Sequence, residues 1–197
     1  MTKINQEDQI YKKIMEKIAS DGWHLLDFEG LSKEFDFDVL TKNGGVRNKM
    51  DLLVAFSEFV DASVKQLFDD DLKDGEIPVR EKLLEALLIR FDVLAPYKVG
   101  IVELMKTLPN SPNFALTGAN SLRLSMEATL VAIGLESNGV KRIIRVKGLS
   151  MIFLSAIFTW SRDDSEDLSA TTRVLDKRLK NAEELMLNFG LTDCKSI

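Results

Sequence analysis

Cysteine and histidine occur once each in this chain, as Cys194 and His24, and proline only four times in 197 residues. A single cysteine excludes an internal disulfide, which fits a reducing compartment. A lone histidine leaves no companions for a metal centre or for a nucleophile and its base. His24 follows Trp23 at a helix junction, where packing is its expected role; Cys194 sits in the tail as an ordinary thiol. There is no nucleophile elbow and no phosphate loop, so catalysis is not expected, and no pattern requires a cofactor. Alternation of β-branched residues is scarce, which argues against a sheet. Basic charge is also missing overall. The net charge is -5 and the pI about 5.1, which excludes a global field for nucleic acid. The N-terminus has neither a secretory apolar core nor the Arg/Ser-rich, acid-poor character of a transit peptide, so a cytoplasmic location is expected.

Apolar helical periodicity is abundant. Hydrophobic residues make up 45% of the chain, enough for one good-sized folded domain or a small one plus a larger one. The expected class is all-α. Ile10, Ile14 and Ile18 stack at four-residue spacing in a first helix from about Gln6 to Ser20, ended by Asp21-Gly22. A short helix capped by Asp27 runs from Phe28 to Phe35, and another short piece from Asp36 to about Asn43 precedes Gly44-Gly45. A long helix follows over about 48–70. The aspartate-rich stretch from Asp69 to Gly75 lacks calcium-loop spacing and reads as a solvated linker, so no metal is expected. Further helices are expected from Pro78 to about Leu94, from Tyr97 to Leu108, from Phe114 to about Leu135, and from Val140 to Trp160.

The run from Leu149 to Trp160 is apolar almost all the way round, so every side of it requires burial. At about 12 residues it is shorter than the roughly 20 needed to cross a bilayer. It reads as a central bundle helix or as half of a subunit interface. After the acidic break 163–167, where Asp164 or Ser165 can cap a new helix, Leu168, Leu175, Ala182 and Phe189 recur every seventh residue with Leu179 and Met186 between them. That is a seam for a partner helix. Met151, Leu154, Phe158, Leu168, Leu175, Leu179, Ala182 and Met186 are therefore the expected homodimer interface.

Three short helices, a long linking helix and about five more form the plan of a helix-turn-helix protein. With Arg47-Asn48-Lys49-Met50-Asp51-Leu52-Leu53 opening the long helix, the chain resembles the TetR family of bacterial regulators. The resemblance implies a DNA-binding domain over 1–50, a ligand-binding and dimerisation domain over 51–197, and a homodimer formed by the last two helices. Aligned on Lys49, Asn43 and Val46 stand where that family has a Tyr-x-x-Phe pair, and residues 1–50 hold eight Lys/Arg against nine Asp/Glu. The stretch from Trp160 to Asp167, with Thr171 or Thr172 and Leu175-Asp176-Lys177-Arg178-Leu179, is similar to the C-terminal signature of the coenzyme Q biosynthesis accessory family, a lipid-binding relative of the same fold. Ala95-Pro96-Tyr97 is similar to its preceding helix junction. Where that family has an aromatic-rich run before the central helix, this chain has Val140-Lys141-Arg142-Ile143-Ile144-Arg145.

Two functions are therefore expected. The first is a one-component transcriptional regulator whose DNA binding is modulated by an apolar small molecule. Lys42, Arg47 and Lys49 would hold phosphates, and Thr41 and Asn43 would reach base edges. The second is a lipid- or isoprenoid-binding accessory protein of ubiquinone biosynthesis that has lost the DNA role. Met105, Met126, Leu130, Phe153, Ile157 and Trp160 are the expected lining of an apolar ligand site, since methionine and aromatic surroundings suit one.

Overall fold

In the computed structural model, residues 3–40, 45–68, 72 and 76–188 are described, and among them there is no strand. The class is all-α. The helices are α1 (Lys3–Asp21), α2 (Phe28–Glu34), α3 (Lys49–Leu67), α4 (Val79–Leu94), α5 (Lys98–Thr107), α6 (Pro112–Ala132), α7 (Gly139–Trp160) and α8 (Ser169–Asn188). Phe37–Leu40, Ala95–Tyr97 and Leu108–Asn110 are single 3-10 turns.

Helix ends follow local chemistry. Gly22 ends α1 with a φ of 81°, where a side chain would be strained, and its N–H donates to Ile18 O at 3.0 Å. Asp27 caps α2 by accepting from Gly30 N at 3.0 Å. At α3 the cap is Asn48, whose Oδ1 accepts from Met50 N at 2.8 Å and Asp51 N at 3.0 Å. Of the piece expected over Asp36–Asn43, one turn, Phe37–Leu40, is described; residues 41–44 lie outside the described part. The aspartate-rich linker and Phe189 also lie outside it, apart from Leu72, which is buried.

The chain divides into two compact units that do not follow its order. The first combines residues 1–66 with 92–125, and the second combines 67–91 with 126–197; the division falls at the last residue of α3 and inside α4 and α6. Residues 1–50 are thus part of a larger unit, because α1 packs along α5. Gly100 permits that packing: a Cβ there would lie 2.7 Å from both Cβ and the backbone O of Met15. Beside this contact sits an aromatic cluster. Tyr11 lies 5.2 Å from Phe56 and 4.9 Å from Phe59, and Tyr97 meets Phe56 edge-on at 5.1 Å. The two tyrosines differ at the hydroxyl. Tyr97 Oη donates to Asp8 Oδ1 at 2.6 Å, whereas the buried Tyr11 Oη has no hydrogen-bond partner. Burial, then Glu7 and Glu58, pushes the Tyr11 phenol far above its ordinary value, so it stays protonated.

In the second unit, Phe91 stacks on Phe153 with centroids 5.0 Å apart and planes inclined by 13°, and lies 5.4 Å from Trp160. Leu72, Ala86 and Ile133 form a further cluster. α8 packs along α7, and Arg80 of α4 reaches α8 through Asp176 at 2.8 Å and Glu183 at 3.7 Å.

Two substitutions test this packing. Gly100→Ala forces a methyl group onto backbone and is expected to cost about 1–3 kcal/mol, read as a lowered midpoint in thermal denaturation. Tyr11→Phe removes an unsatisfied buried hydroxyl while keeping the ring, and is expected to leave stability unchanged or raise it by about 1–3 kcal/mol. A clear loss in Tyr11→Phe would show that the hydroxyl is satisfied.

Candidate functional site

Of the residues expected to contact DNA, Arg47 and Lys49 are described. Thr41, Lys42 and Asn43 lie outside the described residues. Arg47 is exposed, and its backbone N–H donates to Asp51 Oδ2 at 3.0 Å. Lys49 Nζ donates to Trp23 O at 3.2 Å and His24 O at 3.1 Å, so its ammonium also closes the loop after α1. Val46 is buried. His24 differs too: Trp23 is the residue that packs, 5.2 Å from Phe114, while the His24 ring is exposed.

The residues expected to line an apolar ligand site are packed. Met126, Leu130, Phe153 and Trp160 are buried in the second unit, with Phe91 against both aromatics. Ile157 is half-buried, as is Met105, which belongs to the first unit. These side chains build cores. A cavity of about 10 Å³ lies in the first unit, lined by residues that include Tyr11, Met15, Trp23, Phe56 and Leu104. That space is water-sized.

The expected homodimer residues separate into two groups. Leu175 and Leu179 are buried, so this part of the α8 seam faces its own chain. The partner helix is α7, and these two leucines are not available to a second copy. Ala182 and Met186 are half-buried. Leu168 stands just outside α8 with a φ of 49°, which a branched side chain rarely adopts. Met151, Leu154 and Phe158 are exposed.

Those three belong to a longer feature. Val146, Leu149, Ile152, Phe153, Ala156 and Trp160 form the buried face of α7. On the opposite side Val140, Ile143, Ile144, Lys147, Met151, Leu154 and Phe158 recur at spacings of three and four residues, which places them in one stripe. Its six apolar members are between 39% and 71% exposed. Met151, Leu154 and Phe158 were legible as interface residues in the sequence. Val140, Ile143 and Ile144 were not, although the same periodicity runs through them. Lysines and arginines on either side mask it. The whole helix has 22 residues, long and apolar enough by composition to cross a bilayer, whereas the uncharged run alone was not. A spanning role would strip its inner face from Phe91 and α8.

The connection after α7 is held by one carboxylate. Asp163 Oδ1 accepts from Ser165 Oγ at 2.5 Å and Ser165 N at 3.3 Å; Oδ2 accepts from Thr171 Oγ1 at 2.7 Å and Thr171 N at 2.8 Å. Ser165 Oγ and Asp167 Oδ1 then receive Ser169 N, at 3.0 and 3.2 Å. This differs from the expected start of the helix. α8 begins at Ser169, and its free N–H groups are met by Asp163, Ser165 and Asp167. Donation from the Ser165 hydroxyl, and then from Thr171, outweighs burial and holds the Asp163 carboxyl well below the carboxylate range. Asp163, Ser165 and Thr171 belong to the signature that carries the resemblance to the coenzyme Q accessory family. In this structure they perform one task, fixing α8 against α7.

Among the described residues no group of three or more His, Cys, Asp or Glu is placed to hold a metal ion. Compared with known families and with curated proteins, the chain matches no family model and no curated sequence.

The Asp163 contact has a defined pH signature. A carboxyl depressed in the fold stabilises it above the ordinary value of 3.8, and that contribution is lost as pH falls further. Asp163→Asn is expected to cost about 2–4 kcal/mol at neutral pH. It should also flatten the fall in thermal midpoint below about pH 4 relative to the unsubstituted protein. Parallel curves for the two proteins would show that Asp163 carries no such charge-dependent role.

Proposed function

We propose that this chain is a lipid-handling accessory protein on a TetR-like helical scaffold, similar in role to the coenzyme Q biosynthesis accessory family. It acts as a homodimer and is not an enzyme. The observation that carries this reading is the two-faced apolarity of α7. One face fills the subunit core, and the other offers six exposed apolar side chains along the full length of the helix. Such a surface suits an apolar partner. Its uncharged C-terminal half, Met151, Leu154 and Phe158, suits a second copy, because a two-fold axis places the same patch on both sides. The other half is left for ligand or membrane traffic. An isoprenoid or acyl chain is the ligand class that such apolar surroundings take up.

A second reading, the one-component regulator, is supported by the order α1, α2, turn, α3 and by the exposed Arg47 at the start of α3. It is the weaker of the two. Lys49, one of the three expected phosphate contacts, is already engaged with two backbone carbonyls. Few phosphate contacts per subunit are left, and affinity for DNA depends on their number.

One set of measurements separates the readings. Light scattering should give a dimer, and Phe158→Glu should give a monomer that remains helical. Mass spectrometry of the denatured protein should release an isoprenoid or acyl lipid. Fluorescence anisotropy with the gene's own promoter should show no specific, salt-sensitive binding. Tight promoter binding that is lost in Lys42→Ala with Arg47→Ala would reverse the order of the readings. A monomer without lipid would remove the first.

A further inference from the structure

We propose that the N-terminal half of α7 is a docking surface for an anionic lipid bilayer. Between residues 137 and 162 the chain has no aspartate or glutamate, in a protein whose net charge is -5. Four of its five cations, Lys141, Arg142, Arg145 and Lys147, fall in the first half of that stretch. Interleaved with them are Val140, Ile143 and Ile144, which are 70%, 54% and 39% exposed. Arg142 pairs with Glu127 of α6, Lys141 and Arg145 also have contacts within the chain, and Lys147 is exposed.

Charge selects the occupant. A second copy docked here about a two-fold axis would set these cations against themselves, since both sides of such an interface carry the same patch. A nucleic acid would satisfy the cations and leave three aliphatic side chains in water. An anionic bilayer meets both demands. Its headgroups attract the lysines and arginines, and its acyl boundary accepts valine and isoleucine at shallow depth, as for helices lying in an interface. The charge-free remainder of the stripe, Met151, Leu154 and Phe158, stays available for self-association. This goes beyond the lipid-handling reading and does not require it: a protein that carries no lipid can still dock.

The experiment is cosedimentation of the full chain with vesicles of phosphatidylcholine alone and of phosphatidylcholine mixed with phosphatidylglycerol. Binding is expected to the mixed vesicles only and to weaken as salt is raised. One cation near an anionic surface contributes about fivefold in partitioning, so the charge reversal Lys147→Glu should reduce it by roughly 25-fold. Ile143→Ser with Ile144→Ser should reduce it at least about tenfold. These side chains are exposed, so circular dichroism should show the fold intact. Equal binding to both vesicle types, binding to neither, or variants that partition like the parent would overturn the proposal. A change of oligomeric state in the Ile143/Ile144 variant would also overturn it, assigning the face to contact between copies. Loss of vesicle binding with retention of a copurified lipid would leave the lipid-handling reading standing.

Discussion

A helix can be amphipathic and satisfied within one subunit, or apolar on opposite faces and unsatisfied. α7 is of the second kind, and the second unit is organised around that constraint. Its inner face supplies Phe153 and Trp160 to the stack with Phe91, and Leu175 and Leu179 of α8 are buried in the same unit. Once those contacts are made, the helix has no inward surface left. Six apolar side chains on the far side are then available only to something outside the subunit. Both proposals for this surface draw on that remainder, self-association on its uncharged half and bilayer docking on its cationic half.

The packing of α8 on α7 needs a defined connection, and polar chemistry supplies it. A buried carboxylate that accepts four hydrogen bonds is strongly directional, because each donor is at a fixed place in the chain. Asp163 therefore sets where α8 begins and which of its faces turns inward. Asp163, Ser165 and Thr171, which carry the resemblance seen in the sequence, thus have a structural role. The residues that would distinguish lipid handling from DNA reading lie elsewhere, on the outside of α7 and around the start of α3.

Much of the fold was legible because periodicity and punctuation are local. The spacing of Ile10, Ile14 and Ile18, the glycine after Asp21, the cap at Asp27 and the uninterrupted apolar run to Trp160 each specify an element without reference to anything distant. Boundaries shifted where a nonlocal group took over a cap, as when Asp163 and Ser165 delayed the start of α8 to Ser169. The site was less legible. An apolar residue at helical spacing has the same signature whether it meets its own chain, a second copy or a lipid.

The sequence by itself determined that the protein is helical and that its longest apolar helix is hydrophobic on more than one face. Those are properties of residue type and spacing. Only the tertiary structure decided that Leu175 and Leu179 of α8 are buried against their own chain and that Lys49 meets two backbone carbonyls. It also decided that Met126, Phe153 and Trp160 are core, and that Val140, Ile143 and Ile144 are surface. The physical reason is competition. Each apolar face and each charged group has several possible partners along the chain, and which one it meets depends on which elements fold against it first-hand in space, information that spacing along one helix does not carry.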